Sequence, residues 1–222
     1  MTPLAIAVVV LVPIGFVVGV IAEGVATNRS FDAIRRDPGR TPLVAIVAAG
    51  LFGGTPAVIG VDWTLPAYLW FVGVTLTLTL TDIDSKLIPN RILFPGTVVG
   101  LALLVAGGLV ENGPIVRAVA GGAIYFSLLM VLALIARGGF GFGDVKLAFL
   151  LGLFTAFQSW DTLIVAIFAA FLLGGAVSLF LVLTKIRGRK DAIPFGPYLV
   201  VGAYLAIAWG GTIASWYLGG AA

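Results

Sequence analysis

The chain of 222 residues has no histidine and no cysteine, and only 10% of its residues are charged. Its only glutamates are Glu23 and Glu111. These absences exclude a Ser-His-Asp triad, a cysteine nucleophile, a disulfide, a His-ligated haem and a Cys/His zinc site. Any acid–base chemistry falls to Asp, Glu, Lys or Tyr. Charge is scarce because apolar residues fill the chain: 60% belong to the set AVILMFWYC. A soluble domain averages about 25% charged residues, and a fold of this size has no interior large enough for so much apolar surface. The composition is that of a polytopic membrane protein.

A membrane-spanning helix needs about 20 predominantly apolar residues. Eight apolar runs separated by polar or Gly/Pro clusters predict an all-α protein with about eight transmembrane helices. The runs are Leu4–Ala26, Leu43–Val61, Leu65–Thr81, Ile92–Val110, Ile115–Ala136, Val145–Phe157, Leu163–Thr184 and Tyr198–Leu218. The sixth is short enough to tilt, to thin the bilayer or to begin inside it. The third contains an alternation, Val74-Thr75-Leu76-Thr77-Leu78-Thr79-Leu80, that has the period of a strand. An open strand in lipid leaves backbone groups unpaired, so a helix is expected there too. With no polar linker in view, residues 1–222 are expected to form one membrane-embedded domain.

Charge sorts the connections into two sets. Every base except Arg117 falls in the odd-numbered loops, from Arg29, Arg35, Arg36 and Arg40 to Lys185, Arg187, Arg189 and Lys190. The even-numbered connections hold Asp62, Glu111 and Asp161. The positive-inside bias places the basic loops in the cytoplasm. The net charge of +3 is therefore a topology signal, with the bilayer as partner and no nucleic acid implied. Leu4–Ala26 lacks the basic n-region of a cleavable signal and is expected to remain as a span.

With this topology the acids separate by surroundings. Asp62, Glu111 and Asp161 lie in outer loops and are expected to be solvated. Asp32, Asp37 and Asp191 stand among bases in inner loops. Glu23, near the inner end of the first span, has snorkelling or pairing with Arg29 open to it. Asp82, Asp84 and Asp144 stand at the inner ends of apolar spans, where an ionised carboxylate is costly.

Asp82 and Asp84 belong to Thr81-Asp82-Ile83-Asp84-Ser85-Lys86-Leu87-Ile88-Pro89-Asn90. On a continuing helix they point to nearly opposite sides, so only one of them faces the bundle interior. Lys86, four residues after Asp82, offers a plain ion pair, and a charged helix end at the membrane surface is the structural alternative. Pro89 breaks the helix. Asp144 follows Gly138-Gly139-Phe140-Gly141-Phe142-Gly143, where glycines permit a sharp turn and close approach. A helix N-cap is the structural alternative for Asp144. The Walker Gly-Lys-Ser/Thr pattern is absent, so this is not read as a phosphate loop.

Asp82 and Asp144 are placed at the same depth on the same side. Two facing aspartates there would share one proton, because like charges at close range cannot both ionise. Such a pair hydrolyses a peptide bond without His, Cys or metal: one carboxylate deprotonates water while the other, protonated, polarises the scissile carbonyl and then protonates the leaving amine. A Ser85–Lys86 dyad is disfavoured because adjacent residues on a helix splay about 100° apart.

The chain resembles the prepilin peptidases, bacterial members of the GxGD group of membrane aspartyl proteases. The resemblance rests on Asp82-Ile83-Asp84-Ser85-Lys86-Leu87-Ile88-Pro89-Asn90, on Gly141-Phe142-Gly143-Asp144-Val145-Lys146-Leu147, and on Ile193-Pro194-Phe195-Gly196-Pro197-Tyr198-Leu199. It implies Asp82 and Asp144 as the catalytic pair, with Asp84, Gly141, Gly143 and Lys146 in supporting positions. It also implies prepilin or pseudopilin precursors as substrates, cleaved at the cytoplasmic face of the bacterial cytoplasmic membrane, with no cofactor. Many members of that family carry a long insert with zinc-binding cysteines between their first two helices and also N-methylate the trimmed pilin. Here Thr27–Pro42 is short and cysteine is absent, so zinc at such a site is excluded and methyltransferase activity is not expected.

Two other functions compete with this one. An intramembrane protease of the presenilin or signal-peptide-peptidase type shares Gly-x-Gly-Asp, but Thr81 stands where its Tyr-Asp pair would place Tyr, and its Pro-Ala-Leu segment is absent. A small proton-coupled transporter would use Asp82 and Asp144 as carriers, but the inverted repeats common in transporters are not evident.

Overall fold

A computed structural model describes residues 2–27, 40–135, 141–185 and 194–217. These form the helices α1 (Pro3–Thr27), α2 (Arg40–Ile59), α3 (Leu65–Ser85), α4 (Asn90–Val110), α5 (Ile115–Ile135), α6 (Phe142–Gln158), α7 (Trp160–Leu183) and α8 (Gly196–Tyr217). All but α6 are long and apolar enough to cross a membrane. The eight runs expected from sequence are thus eight helices, with ends shifted by only a few residues. Large apolar side chains such as Ile6, Val9, Phe94, Ile164 and Phe168 are exposed on the spanning helices, as befits surfaces whose solvent is lipid.

Among the described residues the alternating stretch of α3 is helical. The hydroxyls of Thr75, Thr77 and Thr81 donate to the carbonyls of Phe71, Gly73 and Thr77, at 2.7, 2.8 and 2.8 Å. Bonding four residues back satisfies these three hydroxyls within the helix, which is how β-branched polar residues are accommodated where water is absent.

The helices fall into two compact units. The first comprises α1–α4, with residues 1–85 and 89–113. Here α1 packs on α2 through Gly15 and Gly19, spaced four apart; a Cβ on Gly19 would stand 2.7 Å from Ala45 Cα. Small residues at this spacing let two membrane helices approach closely. α3 packs against α1, α2 and α4, and the indole of Trp70 donates to Gly96 O of α4 at 2.9 Å.

The second unit comprises residues 86–88 and 114–222, with helices α5–α8. α6 packs against α5, α7 and α8, and most of its side chains are buried, from Asp144 and Val145 to Phe157. Its 17 residues rise about 25 Å, less than the roughly 30 Å hydrocarbon core. A helix enclosed by its neighbours need not match the bilayer. The C-terminal end of α6 is closed by Arg117 of α5, which donates to the carbonyls of Ala156, Phe157 and Gln158, each at 2.7 Å. These are among the carbonyls that a helix C-terminus leaves without intrahelical partners, so Arg117, the one base outside the odd-numbered loops, has a structural task.

The even-numbered connections also serve helix ends. Asp62 Oδ1 accepts from the backbone N–H of Thr64 at 2.9 Å and from its hydroxyl at 2.7 Å, just before α3. Ser159 caps α7 by accepting from Thr162 N at 2.9 Å, with Asp161 in the first turn. Asp62, Glu111 and Asp161 are all exposed, as expected.

Candidate active site

Asp82 lies in the last turn of α3 and is 4% exposed. Because α3 continues to Ser85, Asp84 is carried to another side of the helix and is exposed. There it accepts a bidentate pair of hydrogen bonds from Arg40: NH1 to Oδ1 at 2.7 Å and NH2 to Oδ2 at 2.9 Å. The two acids thus separate into one buried and one exposed carboxylate, as their spacing requires. The i,i+4 register that would stack Lys86 over Asp82 is not completed, because the helix ends at Ser85 and Lys86 takes a left-handed conformation with φ 53°. A residue in this conformation just past a helix is a common stop signal. Pro89 then caps the start of α4. Ser85 donates its hydroxyl to Thr81 O at 2.7 Å, a local bond that leaves the Ser–Lys dyad without structural support.

Asp144 belongs to α6, and here one alternative is corrected. The N-cap of α6 is Gly141, at φ −70° and ψ 130°, so Asp144 is the third helical residue and not the cap. The helix starts earlier than the apolar run because Phe142 and Gly143 already adopt helical geometry. Asp144 N donates to Gly141 O at 3.1 Å, and the side chain is 8% exposed. Gly138, Gly139 and Phe140 lie outside the described residues.

The two described glycines of this segment make room for different neighbours. A Cβ on Gly141 would stand 3.0 Å from Asp144 Oδ2, and one on Gly143 would stand 2.9 Å from Ile88 Cβ. Gly141 thereby leaves space for the carboxylate itself, and Gly143 for Ile88, near the end of the first aspartate segment. Lys146 Nζ sits 4.7 Å from the centroid of the Phe142 ring, within cation–π range.

The third motif opens α8, and its Ile193 lies outside the described residues. Phe195 O accepts from Tyr198 N and Leu199 N at 3.1 and 3.2 Å. Pro197, in this first turn, occupies a position where a helix leaves its N–H groups unbonded, so its missing donor costs nothing. The Phe195 ring packs 5.5 Å from that of Phe171 and fills the space beside Gly174. This segment acts as a helix start and a packing anchor.

Glu23 was expected to snorkel or to pair with Arg29. It is 3% exposed, and the partner described for it is Arg40, whose Nε is 3.1 Å from Oε1; Arg29 lies outside the described residues. Sequence reasoning did not foresee that Glu23 and Asp84 share one arginine. The only signal was a glutamate within an apolar run, which calls for a cation without saying which.

Residues 69–179, a stretch that holds both Asp82 and Asp144, match the model of the type IV leader peptidase family. The chain is 31% identical over 180 residues to the prepilin leader peptidase/N-methyltransferase of Bacillus subtilis (strain 168), covering 80% of this chain and 69% of that one. The chain belongs to the type IV leader peptidase family. It is also similar to the proteins of the same description from Aeromonas hydrophila, with 32% identity over 181 residues, and from Pseudomonas putida, with 35% over 143. Those matches cover 81% and 62% of this chain, and 61% and 48% of the relatives. The chain thus spans less than two thirds of the length of these two relatives. No solved structure matches it. A bacterial leader peptidase family of multi-pass membrane proteins accounts for both the helical architecture and the positions of the aspartate segments.

Proposed function

We propose that residues 1–222 act as one membrane-embedded aspartyl endopeptidase. It removes the short basic leader from type IV pilin-like or pseudopilin precursors at the cytoplasmic face of the bacterial cytoplasmic membrane. The observation that carries this reading is the burial of Asp82 and Asp144, each at the end of a helix and each within the family-matched range. Carboxyls kept from bulk water in an apolar protein need a compensating role, and this chain has no His or Cys to share one.

In this mechanism Asp82 and Asp144 hold one proton between them. The ionised member takes a proton from water, and the water oxygen attacks the scissile carbonyl. The protonated member donates a hydrogen bond to that carbonyl oxygen and then its proton to the leaving amine as the C–N bond breaks. Gly141 leaves room for the Asp144 carboxylate and Gly143 for Ile88, Asp84 and Lys146 support the two segments, and no cofactor takes part. The basic leader remains in the cytoplasm while the precursor's apolar helix lies in the bilayer, which suits carboxyls at the inner boundary. The short, cysteine-free Thr27–Pro42 segment supports trimming without methylation.

Co-expression with a candidate prepilin tests the proposal. A mobility shift equal to loss of the leader supports it. An uncut precursor across a panel of pilins and pseudopilins, with this chain present in the membrane, overturns it.

A further inference from the structure

Arg40 joins three helices of the first unit. Its Nε approaches Glu23 of α1 at 3.1 Å, and its NH1 and NH2 grip Asp84 of α3 at 2.7 and 2.9 Å. One planar guanidinium thus serves a carboxylate on each of two neighbouring helices, a task that suits its fixed fork of donors. The two ends of this clasp differ in character. Glu23 is 3% exposed, and a carboxylate so deeply buried stays ionised only with a charged partner. The side chain of Asp84 is 27% exposed, and a surface pair of this kind contributes little by itself because ordering two side chains offsets the attraction. Here the buried acid orients the arginine beforehand, so Asp84 meets a donor pair already in place.

The position of Asp84 gives the clasp its consequence. Asp84 stands two residues beyond Asp82, and α3 ends one residue later. Final helical turns lack partners for their carbonyls and open more readily than helix interiors. Asp82 therefore lies in a turn that would fray unless something outside the helix held it.

We infer that Arg40 is a positioning residue for peptide-bond cleavage: anchored by Glu23, it pins the last turn of α3 through Asp84 and thereby fixes the rotation and depth of the Asp82 carboxyl. The inference rests on the reading above that Asp82 is one of the reacting carboxyls. Arg40 acts on chemistry only through the backbone that carries Asp82, so its loss slows turnover without weakening precursor binding.

The test uses the full chain, purified, with a matched prepilin. Arg40→Gln lowers kcat by about tenfold to a hundredfold, the scale on which small misplacements of reacting groups act, while KM stays within about twofold. Arg40→Lys falls between the two, because one ammonium cannot reproduce a fork shared by two carboxylates. Hydrogen exchange gives a readout independent of the reaction: amides of Leu80–Ser85 exchange at least about tenfold faster in Arg40→Gln, while those at the centre of α3 do not change. Should Arg40→Gln accumulate poorly, Asp84→Asn carries the same measurements with smaller changes in the same direction. Unchanged exchange in Leu80–Ser85, a rise in KM with kcat preserved, or a loss of activity that merely follows the amount of folded protein overturns the inference. If the unsubstituted chain cuts no prepilin, the peptidase reading falls, and the exchange result still decides whether the clasp holds the end of α3.

Discussion

Ile88 fills the space beside Gly143. A Cβ added at Gly143 would stand 2.9 Å from Ile88 Cβ and 3.4 Å from Ile88 Cγ1. Both residues belong to the second compact unit, so the tail of one aspartate segment packs on the glycine of the other. The middle of the Gly-Phe-Gly-Asp run is thus read as a packing requirement: only a residue without a side chain lets Ile88 sit there.

Gly143→Ala is therefore expected to be damaging. Ile88 Cβ is attached directly to the backbone, so relief requires a backbone shift and not a rotamer change. A cost of about 1–3 kcal/mol is expected for such overpacking, together with a loss of precursor processing larger than the loss of folded protein. Ile88→Gly combined with Gly143→Ala recovers part of the activity, because it removes the Cβ that the new methyl would meet. A silent Gly143→Ala variant, measured by thermal unfolding in detergent and by processing rate, would show that the contact has no consequence.

Arg117 makes a contrasting prediction. It closes α6 at the end opposite Asp144, so its loss affects stability and leaves the chemistry alone. Arg117→Gln removes a charged donor from three carbonyls and is expected to cost about 1–3 kcal/mol. The midpoint of thermal unfolding in detergent should fall, while kcat per folded molecule stays unchanged. A selective loss of kcat in the folded fraction would contradict a purely structural role.

The contrast between these residues shows what was legible in sequence. Spans could be read because each apolar run is local, and the eight runs correspond to eight helices. The opposite fates of Asp82 and Asp84 followed from helical spacing alone. What was not legible depends on which helices meet. Glu23 announced a need for a cation, but the choice of Arg40 depends on α1, α2 and α3 ending together. Arg117 looked like an exception to the charge sorting, and its role exists only because α6 ends beside it. The start of α6 lies earlier than the apolar run for a local reason: Gly141-Phe142-Gly143 reads as a turn, yet its last two residues are helical, so the cap that stood as the structural alternative for Asp144 falls to Gly141.

Membrane orientation gives a third prediction. The chain has no cysteine, so single cysteines report without background. Ser85→Cys and Asp161→Cys, both at exposed positions, stand at the ends of α3 and α7 assigned to opposite faces by the charge of their loops. An impermeant maleimide is applied to intact cells, with the outer membrane permeabilised where there is one. It should label the Asp161→Cys variant and spare the Ser85→Cys variant, and opening the membrane should expose both. Labelling of both variants from outside would overturn the arrangement.

The last prediction concerns the two carboxyls, and the geometry of α6 sharpens it. Asn has nearly the shape of Asp but neither takes a proton from water nor donates one as an acid. Were Asp144 an N-cap, Asn would serve almost as well, and the substitution would be nearly silent. Asp144 is instead the third residue of α6, where a negative charge near the helix N-terminus is worth only about 0.3–1 kcal/mol. Asp144→Asn should therefore leave the protein folded and able to bind precursor, while processing falls by at least about a hundredfold, as expected on losing an acid–base group. Asp82→Asn should behave alike, with the amount of folded protein measured beside the activity. Asp84→Asn separates the roles, since it weakens the grip of Arg40 and lowers the rate without eliminating it. The assay is processing of a matched precursor in membranes at equal protein levels, with binding followed by co-purification. Substantial cleavage by either the Asp82 or the Asp144 variant would remove the two-aspartate mechanism, because a proton shared between two carboxyls has no function when one of them is an amide.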